Sequence, residues 1–181
     1  IAQKSEQYKE APELRGLTGY INTEDISLSA NRGNVVLIDF WTYSCINCIR
    51  TLPYLRSWRE KYEDDGLVII GVHAPEFEFE KKIKNVQDAV QKYELKYPVV
   101  QDNKYATWRA YKNRWWPRKY LVDIDGFIRY DHIGEGAYEE TEQIIQELLK
   151  EKMEREGNVK LLESVDGGVS GVDVDFGKIK T

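Results

Sequence analysis

The sequence predicts a mixed α/β domain: a parallel strand–helix–strand half joined to an antiparallel hairpin half and a closing helix. Three observations predict it. Residues 35–40 and 67–72 are near-continuous apolar runs rich in β-branched side chains, the pattern of strands covered on both faces. Between them, Ile46, Ile49, Leu52, Leu55, Trp58 and Tyr62 recur at helical spacing. Further on, residues 119–122 and 127–133 flank Asp123-Ile124-Asp125-Gly126, which reads as a hairpin turn.

In chain order, residues 1–19 are polar without clear periodicity and form an N-terminal extension, with an extended lead-in at 11–16. Short strands are expected at 20–22 and 26–28, and a turn at 31–34. The helix after Cys45 contains Pro53, which removes an N–H and is expected to kink it; Asp64-Asp65-Gly66 closes it, with Gly66 suited to the position just past the helix. The strand at 67–72 ends in His73-Ala74-Pro75-Glu76. An insertion then separates it from the hairpin half. Val86, Ala89, Val90 and Tyr93 place a helix within 80–94, followed by a short strand at 97–102, a short helix at 105–111 and Trp115-Trp116-Pro117. Residues 138–155 form a long helix with an apolar stripe at Ile144, Ile145, Leu148 and Leu149. The organisation expected is an extension over 1–19, a domain over 20–156 and a tail or linker over 157–181, with a strand conceivable at 159–162.

The chain has 181 residues, ample for one core, and a net charge of −5, which gives no footprint for nucleic acid. No apolar run is long enough to cross a membrane. The first residue is Ile1 and not Met, so the numbering is expected to begin inside a longer translation product.

The chemistry lies at the strand-to-helix junction. Cys45 falls where strand gives way to helix, and Cys48 lies about one turn further on. A helix N-terminus presents unpaired N–H groups and partial positive charge, which favour a thiolate, the nucleophile of disulfide exchange. Cys45 is therefore the expected attacker and Cys48 the resolver. Arg50 adds positive charge nearby but is expected to face solvent. Three other uses of the pair fit less well. Structural zinc takes about four ligands, and two Cys with His73 and His132 lack finger spacing. Covalent haem attachment needs a His after the second Cys, where Ile49 stands. A purely structural disulfide would close a very short loop and gain little.

Asp39 interrupts an otherwise apolar strand. A carboxylate there is costly unless partnered or protonated, and a raised pKa suits proton exchange with Cys48; the alternative is an Asp39 that points outward or caps a neighbour. Glu76 follows a parallel strand, on the side where ligands gather, or else caps the next helix. Trp41, Tyr43, Trp115 and Trp116 are candidates to line an apolar groove around the thiols, with core packing the rival fate of Trp41. His73 reads as a hydrogen-bonded strand-end residue and His132 as structural. The charged stretch 78–84 reads as a solvated helix face.

The stretches LIDFWTYSCINCIRTLPYL, GVHAPEFEFE, YPVVQDNKYATWRAY and RWWPRKYLVDIDG resemble the thioredoxin-like domain of DipZ-type and TlpA-like thiol–disulfide oxidoreductases, over roughly residues 11–150. The resemblance implies a thioredoxin-like fold with a central mixed sheet flanked by helices. It implies that Cys45 is the nucleophile, Cys48 the buried resolving thiol and Asp39 a buried acid behind it. Pro117 matches the family's cis-proline, and Trp116 would offer backbone groups to an extended substrate segment. In TlpA-like relatives an acid in the loop of Glu76 can lie near the thiols. The implied partners are protein thiols and disulfides, with electrons from a membrane redox protein, outside the cytoplasm, in cytochrome c biogenesis and without a cofactor. Residues 172–181 resemble a segment leading into a separate β-rich domain. Two departures matter: Ile46-Asn47 replaces the Gly-Pro of many thioredoxins, and no His lies between the thiols, which favours a reductant over a strong oxidant. The rival classes are a non-catalytic binding or redox-sensing module and a thiol peroxidase, whose chemistry wants a single activated Cys in a dedicated pocket.

Overall fold

The computed structural model describes residues 1–165. Six strands, β1 (Gly19–Ile21), β2 (Val35–Trp41), β3 (Leu67–His73), β4 (Val99–Gln101), β5 (Arg118–Val122) and β6 (Ile128–Ile133), form one mixed sheet in the order β1-β4-β3-β2-β5-β6. The two apolar runs are its centre: β2 pairs in parallel with β3, from Val35↔Leu67 to Trp41↔His73. The hairpin half joins on the other side of β2, antiparallel, with Val36 opposite Val122 and Phe40 opposite Arg118. The helices are α1 (Ala2–Gln7), α2 (Ile46–Tyr62), α3 (Ile83–Lys92), α4 (Ala106–Ala110) and α5 (Tyr138–Glu156). Among the described residues, no helix is long and apolar enough to cross a membrane.

Side chains alternate across a strand, so β2 feeds two cores. Leu37 and Trp41 join Leu52, Leu55 and Trp58 of α2 and Leu149 of α5. Ile38 and Phe40 face the other way, onto Trp108 of α4, Tyr111, and Ala11 and Leu14 of the N-terminal segment. The same alternation puts Asp39 on the α2 face, beneath Cys48. Gly71 sits opposite Asp39 on β3. A Cβ there would come within 3.0 Å of Trp41 Nε1 and 3.2 Å of the Tyr97 ring, so this glycine lets two large rings close over the strand.

Two expectations about elements are corrected, and one element was not foreseen. Residues 26–28 form no strand; the chain enters a 3₁₀ turn at Ser29–Asn31. Leu28 N–H and Ser29 N–H donate to the Glu13 carboxylate at 2.6 and 3.0 Å, and Ala30 N–H to Ser27 Oγ at 3.1 Å. Side-chain acceptors thus take the donors that a strand ladder needs. The polar N-terminus contains helix α1, fixed by Lys4, whose Nζ pairs with Asp123 (3.0 Å), Asp125 (2.7 Å) and Glu151. Residues 159–162 form no strand: Val159 and Leu161 are exposed and find no sheet edge. The segment 172–181, read as a lead into a further domain, lies outside the described residues.

Candidate active site

β2 ends at Trp41, the chain turns through Thr42-Tyr43-Ser44, and α2 begins at Ile46. Cys45 is the N-cap. Its backbone is extended (φ −83°, ψ 113°), and its Sγ accepts the Cys48 N–H at 3.3 Å, the hydrogen bond that a Ser or Asp makes at this position. Cys45 is half-buried and Cys48 fully buried, both as free thiols.

Burial and contacts separate the two thiols. A hydrogen bond from the Cys48 thiol draws Cys45 down to about 7, helped by the N–H groups of Cys48 and Asn47 and opposed by burial and the charge of Glu76. Burial pushes Cys48 well above the usual thiol range, and the neighbouring Cys45 and Asp39 push it the same way. Asp39 is fully covered, and burial raises its carboxyl to about 6.

The sequence reading missed what limits that rise. Lys119 stands directly opposite Asp39 on β5, equally buried, with Nζ 3.7 Å from Oδ1. This is an ion-pair contact longer than a hydrogen bond, so the cation stabilises the carboxylate without binding its proton site. The signal was a Lys inside the buried strand 118–122, legible only once the β2–β5 register is known.

The other predicted residues separate by position. The Trp116–Pro117 peptide bond is cis and immediately precedes β5. Trp116 is partly buried; its Nε1 donates to Ala74 O at 2.9 Å, and its ring lies against Trp108 with centroids 4.3 Å apart. Ala74 N–H in turn donates to Trp41 O at 3.0 Å, which ties Trp116 to the C-terminal ends of β2 and β3, the edge from which Cys45 projects. Trp41 does not reach the groove. It is 0 % exposed, with its ring edge-on to His73, because its side of β2 lies under α2. Trp115 is 45 % exposed. Glu76 is exposed, and what reaches Cys45 from it is its charge.

His73 ends β3 fully buried. Burial drives its pKa down to about 3, so the ring is neutral at pH 7 and its Nε2 accepts the Tyr43 N–H at 3.3 Å, with the Tyr43 ring stacked on it. Within the charged stretch, Glu80 departs from the solvated-face expectation: it is buried and accepts the Ser44 hydroxyl at 2.9 Å. Beside Cys45 an open groove of about 670 Å³ runs between α2 and α3, lined by Tyr43, Ile46, Ile49, Phe79, Ala89 and Tyr93 among others.

Comparison with known proteins agrees with this geometry. Residues 8–131 match the model of the AhpC/TSA family. The chain is 48 % identical over 144 residues to protein DipZ of Mycobacterium bovis, an alignment that covers 78 % of this chain and 21 % of that protein. It thus spans about a fifth of the length of that relative. It is 30 % identical over 146 residues to the thiol-disulfide oxidoreductase ResA of Bacillus cereus, covering 81 % of this chain and 80 % of ResA. Among solved structures, a thioredoxin-like superfamily protein superposes with a TM-score of 0.72 at 26 % identity, over 77 % of this chain and 96 % of its own. With a free thiol pair at the start of α2 and a cis-proline before β5, the chain belongs to the AhpC/TSA family and has the thioredoxin-like fold of the thiol–disulfide oxidoreductases it resembles.

Proposed function

We propose that this domain exchanges disulfides with protein partners through Cys45 and Cys48 and acts as a reductant. Cys45 Sγ attacks a partner disulfide, forming a mixed disulfide as the departing partner sulfur leaves as a thiolate and takes a proton. Cys48 then passes its proton to the Asp39 carboxylate and attacks Cys45 Sγ. The second partner thiolate leaves, and a Cys45–Cys48 disulfide remains. Two electrons pass from the domain to the partner.

The observation that carries this reading is the contrast between the thiols: one half-exposed with its pKa near 7, the other covered and held protonated. An attacking thiol works best with its pKa near ambient pH, whereas a resolving thiol is best kept in reserve. Asp39, at about 6, is mostly ionised at pH 7 and is suited to take the Cys48 proton. The partner's extended segment docks along Trp116 and Pro117 by strand addition, with Glu76 at the rim. Resemblance to DipZ-type and TlpA-like proteins supports an extracytoplasmic setting, a membrane redox protein as electron donor, and service in cytochrome c biogenesis.

Insulin-disulfide reduction with dithiothreitol tests the activity. Cys48→Ser accumulates a mixed disulfide through Cys45, and Cys45→Ser does not; equal trapping by both reverses the assignment. Titration of the pair against glutathione tests the direction, a low potential supporting reduction of partners.

A further inference from the structure

Two buried side chains, one at the end of β3 and one in the segment that follows it, reach the two residues that precede Cys45. His73 accepts the Tyr43 N–H, and Glu80, in a 3₁₀ turn at Glu78–Lys81, accepts the Ser44 hydroxyl through Oε1. The second Glu80 oxygen is covered too and has no hydrogen-bond partner among the described residues. The segment that carries Glu80 is itself fixed. Tyr43 Oη–H and Asn85 Nδ2–H donate to Phe79 O at 3.3 and 2.9 Å, and the side-chain amides of Gln101 and Asn103 donate to Lys81 O at 3.1 and 3.0 Å. Covering a carboxyl group is costly. Capping of α3 does not account for it, because α3 starts from Lys82 without a side-chain cap; the carboxyl group faces the N–H groups of Glu76 and Phe77 at the start of its own turn on one side and Ser44 on the other.

We infer that Glu80 is a positioning residue for Cys45: through Ser44 it fixes the turn from which α2 starts and so holds Cys45 Sγ on the helix N-terminus. This rests on Cys45 being the attacking thiol, and it adds a residue that stands well apart from the thiol pair in sequence. Position and charge have opposite signs here. By charge alone a carboxyl group raises the Cys45 pKa, as Glu76 does, so its removal would lower that pKa. By position Glu80 lowers it, so its removal raises it. Burial raises the pKa of Glu80 itself; the Ser44 hydroxyl and the N–H groups of Glu76 and Phe77 oppose the rise, and the like charge of Glu76 adds to it.

The test is iodoacetamide alkylation of the reduced protein, with Cys45 read by mass from pH 5 to 10, in wild type, Glu80→Ala, Glu80→Gln and Ser44→Ala. Glu80→Ala and Ser44→Ala are expected to raise the Cys45 pKa by roughly half a unit, slowing alkylation at pH 6 roughly threefold. Glu80→Gln, which keeps an acceptor for Ser44, shows no rise. A fall in Glu80→Ala, an equal rise in Glu80→Gln, or no change in any variant overturns the inference. If Glu80→Ala does not fold, Ser44→Ala decides alone, because it removes only the donor. Alkylation reads Cys45 independently of turnover. Failure of the wild type to reduce insulin therefore counts against the proposed activity, whereas unchanged alkylation with intact turnover counts only against Glu80.

Discussion

Asp39 and Lys119 form a pair whose pH behaviour has a definite sign. The folded-state pKa of Asp39 is raised from 3.8 to about 6, mainly by burial. A raised acid contributes stability that is fully present below its unfolded pKa and is lost as pH rises through its folded pKa. This group alone therefore costs the fold on the order of 3 kcal/mol between pH 4 and pH 7.5. Asp39→Asn removes that slope, so urea denaturation of the reduced variant across this range should lack the decline; a decline equal to that of the wild type would show that Asp39 does not titrate near 6. Lys119→Met removes a buried cation that favours the carboxylate, so Asp39 should titrate higher. The acid limb of the resolution step, read as release of partner from a preformed Cys45 mixed disulfide, should then move to higher pH by about one unit. An unmoved limb would separate Asp39 from resolution. Asp39 was legible in the sequence because a carboxylate broke an apolar run. Lys119 was not, because Lys is frequent in edge strands and only the β2–β5 register reveals that this one is buried beside an acid.

At the scale of elements, legibility followed periodicity. The apolar runs of β2 and β3, the helical stripes of α2 and α5 and the hairpin turn at 123–126 each carry a pattern that one packing mode explains, and each formed as expected. The segment at 26–28 has β-branched and apolar residues but too few to outweigh a competing acceptor. Glu13 supplies that acceptor across 15 positions of sequence, binding the N–H groups of Leu28 and Ser29 as well as that of Leu14. No window-based reading sees such a contact. Burial opposes ionisation of Glu13, but these backbone donors outweigh it and hold its pKa below the ordinary value. Glu13→Ala should cost about 1–2 kcal/mol in chemical denaturation at pH 7, the range of a lost side-chain cap. With a depressed folded pKa, the contribution is present at neutral pH and disappears as pH falls through that value, so wild type and variant should converge in acid. A constant difference at all pH values would mean that packing, not the carboxylate, holds this turn.

For the whole molecule, the sheet separates chemistry from anchorage. Cys45, His73, Trp116 and the cis-proline gather where β2 and β3 end. The opposite end, where β2 begins, is tied by charge: Lys4 of α1 and Arg129 of β6 both pair with Asp123 and Glu151, and Arg155 of α5 and Lys4 both pair with Asp125. This network explains how a short polar helix without a buried residue of its own stays on the domain. Isolated surface pairs contribute little, but Lys4 is shared among three acids, and two of them, Asp123 and Asp125, are nearly covered. Lys4→Met leaves Asp123 with Arg129 and Asp125 with Arg155, so the loss stays partial, about 1–3 kcal/mol. For a chain of this size that corresponds to a melting temperature lower by roughly 3–10 °C. The Cys45 alkylation rate should not change, because the network reaches the thiols only through a sheet whose central register is fixed by packing on both faces. A variant that melts early and also alters Cys45 reactivity would show that the two ends are coupled, and the N-terminal segment would then belong to the working parts of the enzyme.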